Sequence, residues 1–118
     1  MKNLMILNHQ PYDGTDVTWN ALRLAKTLHE RGEIVKIFLM NDAVDLVRDV
    51  TKKPESYEYD LVEMLKSLYN SGVDLSVCGT CITRCGINKN KPYFNDEIKG
   101  TMSKLAEWVM ECDKVLTF

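Results

Sequence analysis

Several things are missing from this chain of 118 residues, and each absence removes a class of function. No apolar run approaches the roughly 20 residues that a membrane-spanning helix needs. Lys and Arg are spread along the chain and the net charge is -2. The clustered cationic face required by nucleic acid or by a polybasic membrane contact is therefore lacking, and neither partner is expected. Met1-Lys2 leads directly into a short strand-like run. A leader's longer apolar region and small-residue cleavage site are absent. A cytoplasmic location is expected, where thiols stay mostly reduced. The dinucleotide fingerprint and the P-loop are both missing, and no serine stands at a sharp strand-to-helix elbow. With no internal repeat, linker or low-complexity segment, residues 1–118 read as one domain. An apolar content of 45% and a charged content of 27% suit one globular core, and so small a domain gains from association.

What is present alternates between two periods. Leu4 to Leu7, Ile34 to Leu39, Val73 to Val77 and Val115 to Phe118 are short apolar or branched runs, as expected of buried strands. Between them, Val17, Ala21, Leu24, Ala25 and Leu28 recur at helical spacing. Thr15 or Asp16 is a capping type at the front of that helix, and Gly32 is a stop behind it. Leu61, Met64, Leu65, Leu68 and Tyr69 form a second stripe that ends at Gly72. Asn41 and Asp42 are capping types, so Ala43 to Val50 reads as a short helix. Thr51 to Tyr59 and Asn88 to Asn95 read as polar loops, each broken by a proline. Ile98 to Glu111 reads as a helix with Met102, Leu105, Ala106, Val109 and Met110 facing inward. Trp19 and Trp108 lie on predicted helices, where core packing or a subunit contact is expected. Strands alternating with helices imply a mostly parallel sheet covered on both faces. Such sheets bind ligands at the carboxyl ends of their strands. Asn8 to Gly14, Met40 to Asp42 and Cys78 to Gly86 should therefore open on one edge.

The last of these loops holds three of the four cysteines, as Cys78-Gly79-Thr80-Cys81-Ile82-Thr83-Arg84-Cys85-Gly86. In a reducing compartment such a cluster points to catalysis, redox chemistry or metal binding rather than a disulfide framework. Cys78 leaves a strand into a loop containing Arg84, a setting that suits a nucleophile or a persulfide carrier. Cys81 lies at the spacing of Cys-x-x-Cys redox pairs and is suited to resolve a persulfide. Cys85 is a third thiol within reach. A metal reading uses the same three sulfurs but needs a fourth ligand, Cys112 or His9, for structural zinc. No second Cys-x-x-Cys and no His-x-x-His supplies one. The third reading, small buried hydrophobes, fits poorly with Gly and Thr neighbours. Cys112 near the end of a striped helix reads as a core or surface thiol. His9 is either a solvated loop residue or an acid, base or ligand at neutral pH. Asp42 is either a helix cap or a polar contact of the site, and Arg84 either stabilises a thiolate or is solvated.

Three motifs in order carry a family resemblance. They are the stretch Asn8 to Leu28 with Pro11-Tyr12, Gly14-Thr15 and Asn20-Ala21-Leu22-Arg23-Leu24-Ala25; Phe38-Leu39-Met40-Asn41-Asp42-Ala43-Val44; and Val77-Cys78-Gly79-Thr80-Cys81 followed by Gly86-Ile87. Together they resemble the DsrE/DsrF/TusD-like family of small sulfur-relay proteins over most of the chain. In that family a glycine often stands in place of Asn41, and an arginine is expected where this chain has Cys85, with Arg84 one place earlier. The resemblance implies a Rossmann-like α/β three-layer fold of about five strands and a homo-oligomer, trimer or hexamer. It implies a sulfurtransferase-like carrier in which Cys78 holds sulfur as a persulfide, exchanged with donor and acceptor proteins. Cys81 then serves as the resolving or second carrier thiol and Cys85 supports it. Asn8, His9 and Asp42, with Arg84, are expected to line the pocket. No bound organic cofactor or metal is needed for that chemistry. The alternative is a non-catalytic metal-binding or thiol redox-sensing module on the same three cysteines, and a third is an interaction subunit whose partner carries the chemistry.

Overall fold

The apolar runs pair as five strands: β1 (Lys2–Leu7), β2 (Ile34–Leu39), β3 (Asp74–Cys78), β4 (Lys99–Gly100) and β5 (Lys114–Thr117). In the computed structural model, which describes residues 1–118, every neighbouring pair is parallel and the order is β4-β3-β2-β1-β5. Four helices, α1 (Val17–Glu30), α2 (Leu61–Asn70), α3 (Gly79–Arg84) and α4 (Met102–Glu111), connect them. Two tight 3-10 turns, Asn41–Val47 and Asp96–Ile98, complete the chain.

Strand side chains alternate between faces, and the two faces meet different helices. Met5, Leu7, Ile37 and Leu39 belong to the larger apolar layer, with Ala21, Leu22 and Ala25 of α1 and Leu61, Leu65 and Leu68 of α2. Leu4 and Phe38 meet Leu105 and Trp108 of α4 on the opposite face, and Cys78 belongs to this smaller cluster. The Phe38 and Trp108 rings pack edge to face, with centroids 6.0 Å apart and planes at 88°. The result is an α/β three-layer sandwich, as expected. No helix is long and apolar enough to cross a membrane.

Three expectations need correction. Ala43 to Val50 is not an α-helix; Asn41–Val47 winds as a 3-10 helix, with Ala43 to Val47 all buried. A short segment enclosed on every side gains more from placing its side chains inward than from regular α geometry. The last helix starts at Met102 rather than Ile98, capped by Thr101, whose Oγ1 accepts the Lys104 N–H at 3.2 Å. Ahead of it, Lys99–Gly100 pairs with β3 as the fifth strand, which no periodicity announced. Gly100 is required there: a Cβ would collide with Ser76 Oγ on β3, and that hydroxyl donates to the Ile98 carbonyl at 3.2 Å.

The third correction concerns which face of α4 is buried. Leu105 and Trp108 are buried, but Met102, Val109 and Met110 are 63%, 43% and 85% exposed and Ala106 is exposed as well. The helix meets the sheet through a narrow stripe, so four of its six apolar residues face outward. Trp19 is half-buried, with Tyr59 stacked on one side and the Arg23 guanidinium over its ring at 4.3 Å.

Candidate functional site

The carboxyl ends of β1, β2 and β3 bring the three expected loops to one edge, and side chains join them. Cys78 ends β3 and caps α3: its Sγ accepts the Cys81 N–H at 3.4 Å. Cys81, one turn on, accepts the Asn41 N–H on its own Sγ, also at 3.4 Å. That contact needs a particular backbone. Asn41 has φ 51°, in the left-handed region that glycine enters freely and asparagine more readily than most residues. The Asn41 side chain then donates to Asn8 Oδ1 at 3.0 Å, and Asn8 Nδ2 donates to the Phe118 carbonyl at 3.2 Å. A single hydrogen-bonded line therefore runs from the edge strand through β1 and β2 to the second thiol.

The far end of α3 is held separately. Asp42 Oδ1 accepts the Gly86 N–H at 2.8 Å. Asp45, fully buried, accepts the N–H groups of Ile87 and Asn88 at 2.7 and 3.3 Å and the Gln10 amide at 3.1 Å. Its Oδ1 lies 3.1 Å from Nε of Arg48, which is also fully buried. Arg48 Nη2 donates to the carbonyls of Ile82 and Cys85 at 2.9 and 3.1 Å, which close the last turn of α3. Burial pulls the Arg48 pKa down, and the Asp45 carboxylate opposes it. Nε points poorly for a hydrogen bond to Asp45 despite the short distance, and Nη1 has no partner. The contact with Asp45 is thus mainly one of charge.

The two thiols open into one cavity of about 520 Å³, walled by Met40, Gly79, Lys99, Thr101 and Met102. Cys78 is buried and Cys81 half-buried. Burial pushes the Cys78 thiol above the ordinary 9.0, and its side-chain hydrogen bond with Cys81 pushes the same way; backbone N–H groups of α3 pull less strongly against them. The expectation that a helix start and Arg84 favour a Cys78 thiolate is therefore not met. A helix of six residues has little macrodipole, and Arg84 faces elsewhere. It lines a second, shallower cavity of about 330 Å³ with Cys85, Asp42, Gly86 and Gln10. His9 joins neither cavity; its Nδ1 faces Asp13 at 3.8 Å and the side chain is half exposed. No three Cys, His, Asp or Glu side chains converge within coordination reach. The arrangement that the metal reading needs, Cys78, Cys81 and Cys85 around one point, is not formed. Cys112 ends α4 against the smaller core cluster, away from the loop thiols.

Asn8 and Asp42 thus have specific places, one behind Cys81 and one under Gly86. The residues that sequence reasoning passed over are Asn41 as a backbone donor, the Asp45–Arg48 pair and Lys99. Only Asn41 carried a signal, since a position that alternates with glycine implies a left-handed backbone.

A parallel α/β sandwich with paired thiols at its carboxyl edge defines the class of protein. Comparison with known proteins gives the family. The model of the DsrE/DsrF-like family matches residues 1–118, and the chain belongs to that family. It is 35% identical to Protein YchN of Escherichia coli over 119 residues, which span 99% of this chain and 98% of that protein. It is 33% identical over 114 residues to an uncharacterized protein of Methanopyrus kandleri, spanning 97% and 91% of the two chains. The crystal structure of the Escherichia coli YchN protein matches with a TM-score of 0.83 at 36% identity, over 100% of this chain and 99% of that one.

Two outcomes follow from the geometry. Asp45→Ala leaves the Arg48 charge buried without its carboxylate and should cost about 3–5 kcal/mol in urea unfolding. Removing both charges, in Asp45→Ala/Arg48→Met, should recover part of that loss. Peptide-resolved alkylation should give a Cys78 rate that is still climbing above pH 9.0, since its thiol titrates above that value. A plateau below pH 9.0 would instead mean that the loop stabilises the thiolate.

Proposed function

We propose that this protein is a cytoplasmic sulfur-relay protein that carries sulfane sulfur as a persulfide on Cys78 and passes it to a partner thiol. The observation that carries the reading is the pair itself. Cys78 and Cys81 share one cavity at the carboxyl edge of the sheet, and the Cys81 N–H donates to Cys78 Sγ. Family membership over the whole chain supports it.

Cys78 must lose its proton before it attacks, and its Sγ accepts the Cys81 backbone N–H, a contact that favours the thiolate once formed. The Cys78 thiolate then attacks the outer sulfur of a donor persulfide. The donor's S–S bond breaks, its electron pair leaves on the donor thiolate, and the Cys78 persulfide remains. An acceptor thiolate repeats the exchange in the opposite direction, so no oxidant and no organic cofactor enter. If no acceptor arrives, Cys81 attacks Cys78 Sγ, expels hydrosulfide and closes a disulfide. This gives Cys81 the resolving role. Cys85 supports the loop through its carbonyl, which Arg48 holds. Thiol redox sensing is the second reading, favoured by the same Cys78–Cys81 contact.

Donor and acceptor are proteins in this reading, and the carrier is a homo-oligomer of three or six copies. The outward stripe of Met102, Ala106, Val109 and Met110 on α4 supports association. Met102 also lines the thiol cavity. A neighbouring copy on that stripe would therefore border the site.

Intact-protein mass spectrometry after anaerobic incubation with a persulfide donor should show a gain of about 32 Da located on Cys78, the mass of one added sulfur. Cys78→Ser should abolish it, and a Cys78→Ser chain that still holds sulfur at the wild-type level would overturn the assignment. A loss of about 2 Da joining Cys78 to Cys81, with no sulfur gained, would favour the redox reading. In light scattering, Val109→Asp/Met110→Glu should lower the mass of the assembly without loss of helical signal. An unchanged mass would remove α4 from the interface.

A further inference from the structure

The thiol cavity has one charged wall, and it is positive. Lys99 occupies a fixed place because β4 pairs with β3 directly beside Cys78: the register sets Val77 against Lys99 and Cys78 against Gly100. Its side chain then runs over the start of α3. A Cβ on Gly79 would stand 2.9 Å from Lys99 Cε and 3.4 Å from its Cγ, so the lysine stem lies on the bare α-carbon. The ammonium group has no carboxylate partner, in contrast to Lys36, which is held by Asp74 and Glu111 at 3.1 and 2.9 Å. No Asp or Glu lines the cavity. Asp42 and Asp45 of the loop system are committed elsewhere, to Gly86 and Arg48. Thr101 and Met102 also line it, so the first turn of α4, a helix of ten residues, adds its positive end to the same space. The remaining walls include two thiols and the thioethers of Met40 and Met102, beside the glycines and threonines of the two loops.

Two thiols, two thioethers and one unpaired cation in about 520 Å³ describe a site for a particular kind of molecule. We infer that Lys99 selects the sulfur donor, and that the cavity takes a small sulfane-sulfur anion, one whose transferable terminal sulfur carries negative charge. This rests on the sulfur-relay reading but puts a low-molecular-weight donor, which fits the cavity directly, in place of the donor protein. The transfer balances in the same way for either source of such an anion. The thiolate attacks the outer sulfur, the donor's S–S bond breaks, and the electron pair leaves on the inner sulfur, as sulfite from thiosulfate or as a thiolate from an organic persulfide. Lys99 offsets the repulsion between an anionic donor and an attacking thiolate, an electrostatic contribution that increases as water is excluded. An uncharged donor gains nothing from it.

The test compares two alkylating agents of nearly the same shape, iodoacetate and iodoacetamide, on the full-length protein. Rates at Cys78 and Cys81 are read by peptide mapping and expressed as the ratio of the anionic to the neutral reagent. Lys99→Met should lower that ratio about 3- to 30-fold, the range expected for one partly solvated charge at contact distance. Lys99→Arg should keep it within about two-fold of wild type, and added salt should weaken the wild-type preference but not that of Lys99→Met. A ratio that Lys99→Met leaves unchanged overturns the inference. Lys99 is exposed, so neither variant threatens folding. In a second arm, wild type and Lys99→Met are given thiosulfate or cysteine persulfide and the sulfur gained on the thiols is timed. Slower uptake by Lys99→Met from one of the two identifies which anion the site takes. If wild type gains sulfur from neither while the alkylation ratio still falls, the small-donor assignment fails and anion selection stands. If sulfur is gained but the ratio does not move, the relay stands and the role of Lys99 falls.

Discussion

A buried ion pair holds the functional edge of this protein together. Asp45 and Arg48 are fully enclosed, 3.1 Å apart, beneath the loop that carries the cysteines. Neither would be stable there alone, because desolvating one charge costs several kcal/mol. Together they replace solvent for groups that α3 cannot satisfy by itself. Arg48 binds the carbonyls of Ile82 and Cys85, and Asp45 binds the N–H groups of Ile87 and Asn88. A helix of six residues is too short to persist on its own hydrogen bonds. The pair makes it persist, and with it the relative placement of Cys78, Cys81 and Cys85.

The other end of the helix is controlled through the backbone. Asn41 is held in a left-handed conformation, with its side chain on Asn8 and its N–H on Cys81 Sγ. Asn8 is in turn fixed by the Phe118 carbonyl, on the strand-end segment after β5. The second thiol is therefore positioned by contacts from three strand ends, and small errors in sheet register would reach it directly. Cys78 is governed by a different term. It belongs to a core cluster with Phe38 and Trp108, and burial holds it protonated. Two sulfurs three residues apart thus each accept a backbone N–H but differ in burial, Cys78 in the core and Cys81 half-buried at the rim.

The layout was readable wherever a period repeats. Alternating short apolar runs and helical stripes gave the sandwich, and loops after strands gave the edge on which function sits. The Cys-x-x-Cys spacing after a strand also put Cys78 and Cys81 one turn apart, and they do share one cavity. It failed where the structural reason is a single contact across long sequence separation. Gly100 lowers helix propensity, but nothing local says that it must lie on Ser76 and thereby make a two-residue strand. The stripe on α4 has the right period on two adjacent faces, and only the sheet decides that Leu105 and Trp108 face in while Met102, Val109 and Met110 face out. Asp45 and Arg48 look like ordinary polar residues of a short surface helix until both are seen enclosed. His9 was a reasonable candidate by residue type, and its partner Asp13, four residues on, turns it away.

The double anchoring of α3 also sets a limit on motion. A carrier can deliver its cargo on a long flexible arm, which sweeps out distance, or from a fixed mount, which does not. Here both ends of the cysteine helix are fastened to the sheet scaffold, at Asn41 on one side and at Asp42, Asp45 and Arg48 on the other. A group attached to Cys78 has almost no stroke of its own. Anything that exchanges with it must be threaded into the cavity, so the geometry of approach falls wholly on the visiting molecule.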